Sequence, residues 1–230
     1  MSGDTRVGLL GGTLDPIHVG HLETACAAKR ALHLDLVYVL PSNLPPHRAQ
    51  QPVASSHHRF AMTALAVNGR DGLRASDIEL SAPGLSYTAD TLHRFSSATG
   101  LGVSQIFFIT GADAFAEIET WYRYPEVLEL ANFVAVSRPG FAVDALRDRL
   151  PALADRMVDT NSEASAAGRQ QAPASSEKPT ASSHTIFLVN ATTPDVSSSD
   201  IRQRLMTHRS IAGLVPATVE RHISQHGLYA

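Results

Sequence analysis

The chain has 230 residues, 43% of them apolar and 18% charged, which suits one α/β domain with a real core and excludes a fibrous or wholly disordered protein. A net charge of −3 excludes a global basic field for nucleic acid, so any positive charge meant for phosphates must be concentrated in one place. The lone cysteine, Cys26, excludes an internal disulfide and Cys₂ or Cys₄ metal sites, and it reads as a small buried apolar residue. The apolar run near the N-terminus is too short for a signal peptide, and no stretch reaches membrane-spanning length, so a cytoplasmic protein without a membrane partner is expected.

In chain order, Arg6–Leu10 reads as a strand ended by Gly11-Gly12, followed by a helix from Val19 to Leu32. A strand at Leu36–Leu40 stops at Pro41, and Ser55 or Ser56 caps a helix running to Val67. Next come a strand over Leu73–Ile78, a helix over Ala89–Ser97 and an Ile- and Phe-rich strand, Ile106–Thr110. A short helix at Ala112–Ile118, a strand at Phe133–Ser137 and a helix at Val143–Leu153 follow. Thr160–Ser183 is dominated by Ser, Ala, Gly, Gln, Pro and Glu without apolar periodicity, a composition that predicts a disordered insertion. A strand at Thr185–Leu188 and helices at Ser199–Thr207 and Ala217–His226, the second led by Pro216, end the chain. The alternation predicts a parallel sheet covered on both faces, with ligands beyond the carboxyl ends of its strands. The expected layout is a core over residues 1–190, carrying the insertion at about 160–183, and a C-terminal helical part over 191–230.

The strongest chemical signal is Gly11-Gly12-Thr13-Leu14-Asp15-Pro16-Ile17-His18-Val19-Gly20-His21, between the first strand and first helix. Glycines let backbone approach a ligand closely, and a helix N-terminus offers N–H groups and positive dipole to an anion. His18 and His21, three apart, point to the same side at that end, and Gly20 removes a side chain that would block entry. A zinc pair is the alternative for H-x-x-H, but no third ligand is suggested nearby. The second signal is Ser197-Ser198-Ser199-Asp200-Ile201-Arg202, where Ser198 or Ser199 caps a helix and Arg202 can fork onto phosphate oxygens. Two helix starts, two histidines and an arginine predict a local cationic pocket.

These segments resemble the signatures of the nucleotidyltransferase superfamily that shares the H-x-G-H motif, with Leu14 for its usual Phe, and Val196 and Ser199 for Ile and Thr of I-S-S-T-x-I-R. Pro41-Ser42-Asn43-Leu44-Pro45-Pro46-His47-Arg48 is similar to the P-x-x-x-P-P-H-K loop of bacterial nicotinate mononucleotide adenylyltransferases, with Arg48 in place of Lys. Ser86-Tyr87-Thr88-Ala89-Asp90-Thr91-Leu92, Gly111-Ala112-Asp113 with Trp121, Ser137-Arg138-Pro139-Gly140 and Leu214-Val215-Pro216 resemble the same branch. The resemblance implies a Rossmann-like α/β nucleotidyltransferase fold, a parallel sheet flanked by helices with a short C-terminal helical subdomain.

The implied reaction joins ATP to nicotinate mononucleotide, releasing pyrophosphate and giving the deamido dinucleotide precursor of NAD. His18, His21 and Arg202 are then the catalytic residues. Gly11, Gly12, Thr13, Gly111, Asp113, Ser198, Ser199 and Ile201 join them in holding ATP. Asn43, His47, Arg48, Thr88, Trp121 and Tyr122 hold the mononucleotide, Trp121 against the pyridine ring and backbone near Thr88 and Tyr122 on its carboxylate. Mg²⁺ is implied with ATP, held through phosphates and water rather than by protein ligands. No nucleic-acid partner is implied, and a homo-oligomer is left open. The competing readings are nicotinamide mononucleotide or phosphopantetheine as acceptor, and a catalytically silent nucleotide sensor. His57, His58 and the other histidines read as solvated or structural.

Overall fold

The computed structural model describes residues 5–46, 53–82, 84–160 and 184–230. His47, Arg48 and residues 161–183 of the expected insertion lie outside the described residues. The strands are β1 (Val7–Gly12), β2 (Leu36–Pro41), β3 (Leu73–Ala75), β4 (Ile106–Gly111), β5 (Asn132–Val136), β6 (Met157–Asp159) and β7 (Ile186–Val189). They form one sheet in the order β3-β2-β1-β4-β5-β7-β6, every pairing parallel. The helices are α1 (Val19–Leu32), α2 (Ser56–Val67), α3 (Thr88–Thr99), α4 (Ala112–Phe115), α5 (Ala145–Arg149), α6 (Ser198–Met206) and α7 (Ala217–Gln225). This is the expected Rossmann-like parallel sheet flanked by helices.

The apolar strands are continuous because both sheet faces are buried. Alternate side chains of one strand serve different cores: Phe107 and Ile109 of β4 join α1 and α2, whereas Ile106 and Phe108 join α3 and α4. Val196, Ile201, Ile211, Val219 and Ile223, from the C-terminal helical part, share the first of these cores with β1 and α1. Cys26 is half-buried and packs against that same core. The chain steps outward from β1 to β2 and β3, then returns to lay β4 on the other side of β1. That reversal makes the β1/β4 boundary a topological switch point, where a crevice opens beyond the strand ends.

Three expected elements end three or more residues early, and one strand was not expected. The third strand stops at Ala75 rather than Ile78, because the Leu80 N–H closes a turn onto the Asp77 carbonyl at 2.8 Å. The helix expected over Ala112–Ile118 ends at Phe115, and a separate 3₁₀ turn covers Ile118–Thr120. Pro151, lacking an N–H, splits the helix expected over Val143–Leu153 into α5 and a 3₁₀ turn, Pro151–Arg156. β6 follows directly, a three-residue edge strand too short to leave a period in the sequence. The caps are also resolved: Ser55 accepts from the His58 N–H on α2, and Ser197, not Ser198 or Ser199, accepts from Asp200 N–H on α6.

Candidate active site

β1 ends on Gly11-Gly12, and the loop through Ile17 delivers His18 as the N-cap of α1. Leu14 sits at φ 51 with 1% exposure, a left-handed backbone that packing against the core holds in place. His18 and His21 face each other with ring centroids 3.7 Å apart. The His18 backbone N–H donates to His21 Nδ1 at 3.3 Å, which leaves the proton of a neutral His21 on Nε2 as an outward donor. Gly20 has a role closer to the fold than clearing an entrance: a Cβ there would lie 3.0 Å from the His18 ring. The Val19 N–H is engaged by the Leu214 carbonyl at 3.0 Å, so the first turn of α1 has fewer N–H groups to offer than its position implied.

The histidines are not cations. Burial, reinforced by the Arg138 guanidinium, pushes His18 down to about 4. Burial, then His18 and then Arg138, hold His21 well below the ordinary imidazole value. The expected cationic pocket is corrected to two neutral imidazoles flanked by arginines. The buried Nδ1 of His18 has no hydrogen-bond partner.

Helix α6 docks on this loop. Ser198 Oγ donates to the Pro16 carbonyl at 2.9 Å, and Arg202 donates to the Asp15 carbonyl at 2.7 Å and to Ser199 Oγ at 3.2 Å. The two motifs therefore meet, as their joint resemblance required. Ile201 is fully buried, so its side chain anchors α6 in the core.

Three supporting residues carried no role in the sequence reading. Asp15, 1% exposed, accepts from Val53 N–H at 2.8 Å, Ala54 N–H at 3.1 Å and the Tyr229 hydroxyl at 2.7 Å. Burial and Asp15 raise the Tyr229 phenol, which keeps it protonated and donating. Arg59, also 1% exposed, donates to the carbonyls of Thr13, Ser42, Asn43 and Ala54, lacing the loop after β1 to the loop after β2. The signal for Arg59 was a charge at a core-face position, in line with buried Met62, Thr63 and Ala66.

A cavity of about 490 Å³ opens at the ends of β1 and β4, floored by Gly11, Gly12, Thr13, Phe108 and Thr110. Its far wall is Tyr87, Thr88, Trp121 and Tyr122, and Ser42, Pro45, Pro46 and Glu79 complete the rim. Trp121 is held edge-on to Phe108 and Phe133, at 6.0 and 6.4 Å between centroids. The Tyr87 and Tyr122 rings stack at 4.3 Å, which brings the start of α3 beside the Trp121 segment. Glu79, 7% exposed, accepts from Thr91 Oγ1 at 3.0 Å. Its other oxygen is unpartnered, and burial raises its carboxyl above the ordinary range.

Asn43 does not line this cavity. Its amide donates to the Ala82 carbonyl at 3.0 Å and its N–H to Ser86 Oγ at 2.8 Å, so it shapes the rim from behind. Asp113 opens the first turn of α4, exposed and 3.5 Å from Arg138. A Cβ on Gly111 would collide with Asp113 Oδ1 and Arg138 Cδ, so that glycine permits the pair. His18, His21, Ser198, Arg202 and Asp113 do not line the cavity. The histidines follow its glycine floor at the start of α1, Ser198 and Arg202 sit on the helix bonded to that loop, and Asp113 is next to the lining residue Ala114 after β4.

The arrangement defines a class: a Rossmann-like sheet with a glycine-floored cavity at its switch point and an H-x-G-H helix start beside it. The Cytidylyltransferase-like family matches residues 9–204. A probable nicotinate-nucleotide adenylyltransferase of Desulfatibacillum aliphaticivorans is 38% identical across 97% of this chain and 99% of its own length. A protein of the same description from Moorella thermoacetica is 37% identical across 97% of this chain and 91% of its own. The chain belongs to the Cytidylyltransferase-like family, in the branch of the nicotinate-nucleotide adenylyltransferases. In fold it is similar to the Plasmodium falciparum nicotinic acid mononucleotide adenylyltransferase solved with NaAD (TM-score 0.71, 16% identity, 98% of this chain and 97% of the other).

Proposed function

We propose that this chain transfers the adenylyl group of ATP to nicotinate mononucleotide, releasing pyrophosphate. The observation that carries the reading is the cavity, which joins an aromatic ring and a helix start on one wall to the glycine floor beside His18 and His21. A pyridine ring is recognised by an aromatic face, and its carboxylate by N–H groups at a helix start. Trp121 supplies the face, and the backbone around Thr88 and Tyr122 supplies the donors.

In the reaction a 5′-phosphate oxygen of the mononucleotide attacks the α-phosphorus of ATP. The bond from that phosphorus to the bridging oxygen of the β-phosphate breaks, and pyrophosphate leaves with the electron pair. The attacking phosphate is ionised at neutral pH, so no general base is needed, and catalysis is positioning plus charge stabilisation. Neutral His21 donates from Nε2 to a non-bridging α-phosphate oxygen, with the buried His18 ring packed against it at 3.7 Å between centroids. Arg202 turns from the Asp15 carbonyl and Ser199 toward the leaving phosphates, with Ser198 and Ser199 beside it. Asp113 receives a ribose hydroxyl of ATP, with Gly111 giving it room. Arg138, which lies close enough to depress both histidines, adds the fixed positive charge they lack. Mg²⁺ would be held through the triphosphate oxygens and water and would screen their charge, since Asp15 is already taken by three donors.

The test is Trp121→Ala. The variant should raise KM for the mononucleotide at least ~10-fold while leaving KM for ATP within about twofold, because base–aromatic stacking is worth roughly 1–3 kcal/mol. Loss of ATP affinity with unchanged mononucleotide KM would assign Trp121 to the other substrate and overturn the reading.

A further inference from the structure

Away from the nucleotide loop, α2 and α7 pack side by side, and Thr218 Oγ1 of α7 donates to the Leu65 carbonyl of α2 at 3.2 Å. Three histidines meet along this seam. His58 projects from the first turn of α2, while His222 and the α7 cap His226 are four apart and share one helical face. Their ring centroids lie 5.3, 4.9 and 4.4 Å apart. His58 Nδ1 stands 3.1 Å from His222 Nε2, and one nitrogen from each ring falls within 4.8 Å of the other two. Ligand nitrogens about 2.0–2.1 Å from a tetrahedral ion are themselves ~3.4 Å apart, so small rotamer adjustments bring all three to bonding distance.

We propose that His58, His222 and His226 form a binding site for one borderline-soft divalent transition-metal ion, Zn²⁺ first among them, with the fourth position open to water. The donor set decides the class of ion: three imidazoles and no carboxylate favour Zn²⁺, Ni²⁺ or Cu²⁺ over Mg²⁺ or Ca²⁺. The i, i+4 pair on a helix is itself a recurring two-histidine zinc geometry, and the third ligand comes from the facing helix. Burial, then His226 and His58, hold His222 below the ordinary imidazole value, toward the neutral form that ligates. His226 is exposed and the other two are half-buried, which leaves a path for the ion. The site bridges two helices. It pins α7 to α2, and the segment after α7 carries Tyr229, whose hydroxyl donates to Asp15 of the H-x-G-H loop.

The experiment uses the full untagged chain, stripped of metal and titrated with Zn²⁺ by calorimetry and by thermal melting. We expect one ion per chain, a Tm that rises with Zn²⁺ and not with equal Mg²⁺, and a tetrahedral visible spectrum on Co²⁺ substitution. His58→Ala and His226→Ala should each weaken Zn²⁺ binding at least ~100-fold, since even outer-shell changes cost 10–100-fold. His57→Ala, at the exposed neighbour, should keep it. Their metal-free Tm values report folding separately, and His226, being exposed, is the variant least able to disturb the fold. Absence of stoichiometric binding, retention of binding in both ligand variants, or its loss only in His21→Ala would overturn the site.

Discussion

His18 is a proposed phosphate-site side chain whose charge the sequence left unreadable. The H-x-G-H spacing places it at a helix start, where a cation suits phosphate, but spacing says nothing of burial. The ring is 1% exposed and neutral at physiological pH. Its protonation is thereby linked to folding. With a folded value of about 4 against 6.5 in an exposed imidazole, the unfolded chain binds the proton more readily, so stability present above pH 6.5 is lost as pH falls toward 4. The loss from this one group is roughly 3 kcal/mol. His18→Gln should flatten the fall of Tm between pH 7 and 4.5 relative to the parent chain. Parallel profiles for the two proteins would show that His18 titrates freely. The motifs give no role to Asp15 or to Tyr229, partners 214 positions apart, because no local pattern relates them.

At the scale of elements, the sequence was most legible where a period and a cap coincided. α1 has its expected bounds, with His18 as its cap, and α2 begins after its capping Ser55, because apolar spacing and a cap coincide at both. Legibility fell where length did: β6 is three residues, and the break at Pro151 divides a run that looked like one helix. The meeting of α6 with the first motif was foreseen by resemblance, but its mechanism is one of carbonyl acceptors, Pro16 for Ser198 and Asp15 for Arg202. The C-terminal residues serve the same end. Tyr229→Phe removes a buried hydrogen bond to a carboxylate while keeping the ring, and should lower stability by about 1–3 kcal/mol. In a chain of this size that is a Tm drop of several degrees. An unchanged Tm would mean that Val53 and Ala54 alone satisfy Asp15.

Across the whole molecule, the alternation of strands and helices in the sequence implied a parallel sheet, but the strand order came only with the structure. That order matters, because the β1/β4 reversal sets the glycine floor of the cavity between the H-x-G-H loop and the Trp121 wall. Segments around residues 11, 88 and 121 converge there through packing such as the Tyr87–Tyr122 stack. The central claim is that this composite cavity selects an acid-bearing pyridine mononucleotide for adenylyl transfer. Backbone N–H groups reward the carboxylate through charge-assisted bonds, whereas an amide turns its own donors toward them. The decisive measurement is pyrophosphate release with ATP and each of nicotinate mononucleotide, nicotinamide mononucleotide and phosphopantetheine, compared as kcat/KM. The account predicts turnover with the acid, at least ~10²-fold less with the amide and none with phosphopantetheine. Equal use of acid and amide, or no pyrophosphate with the acid, would contradict it.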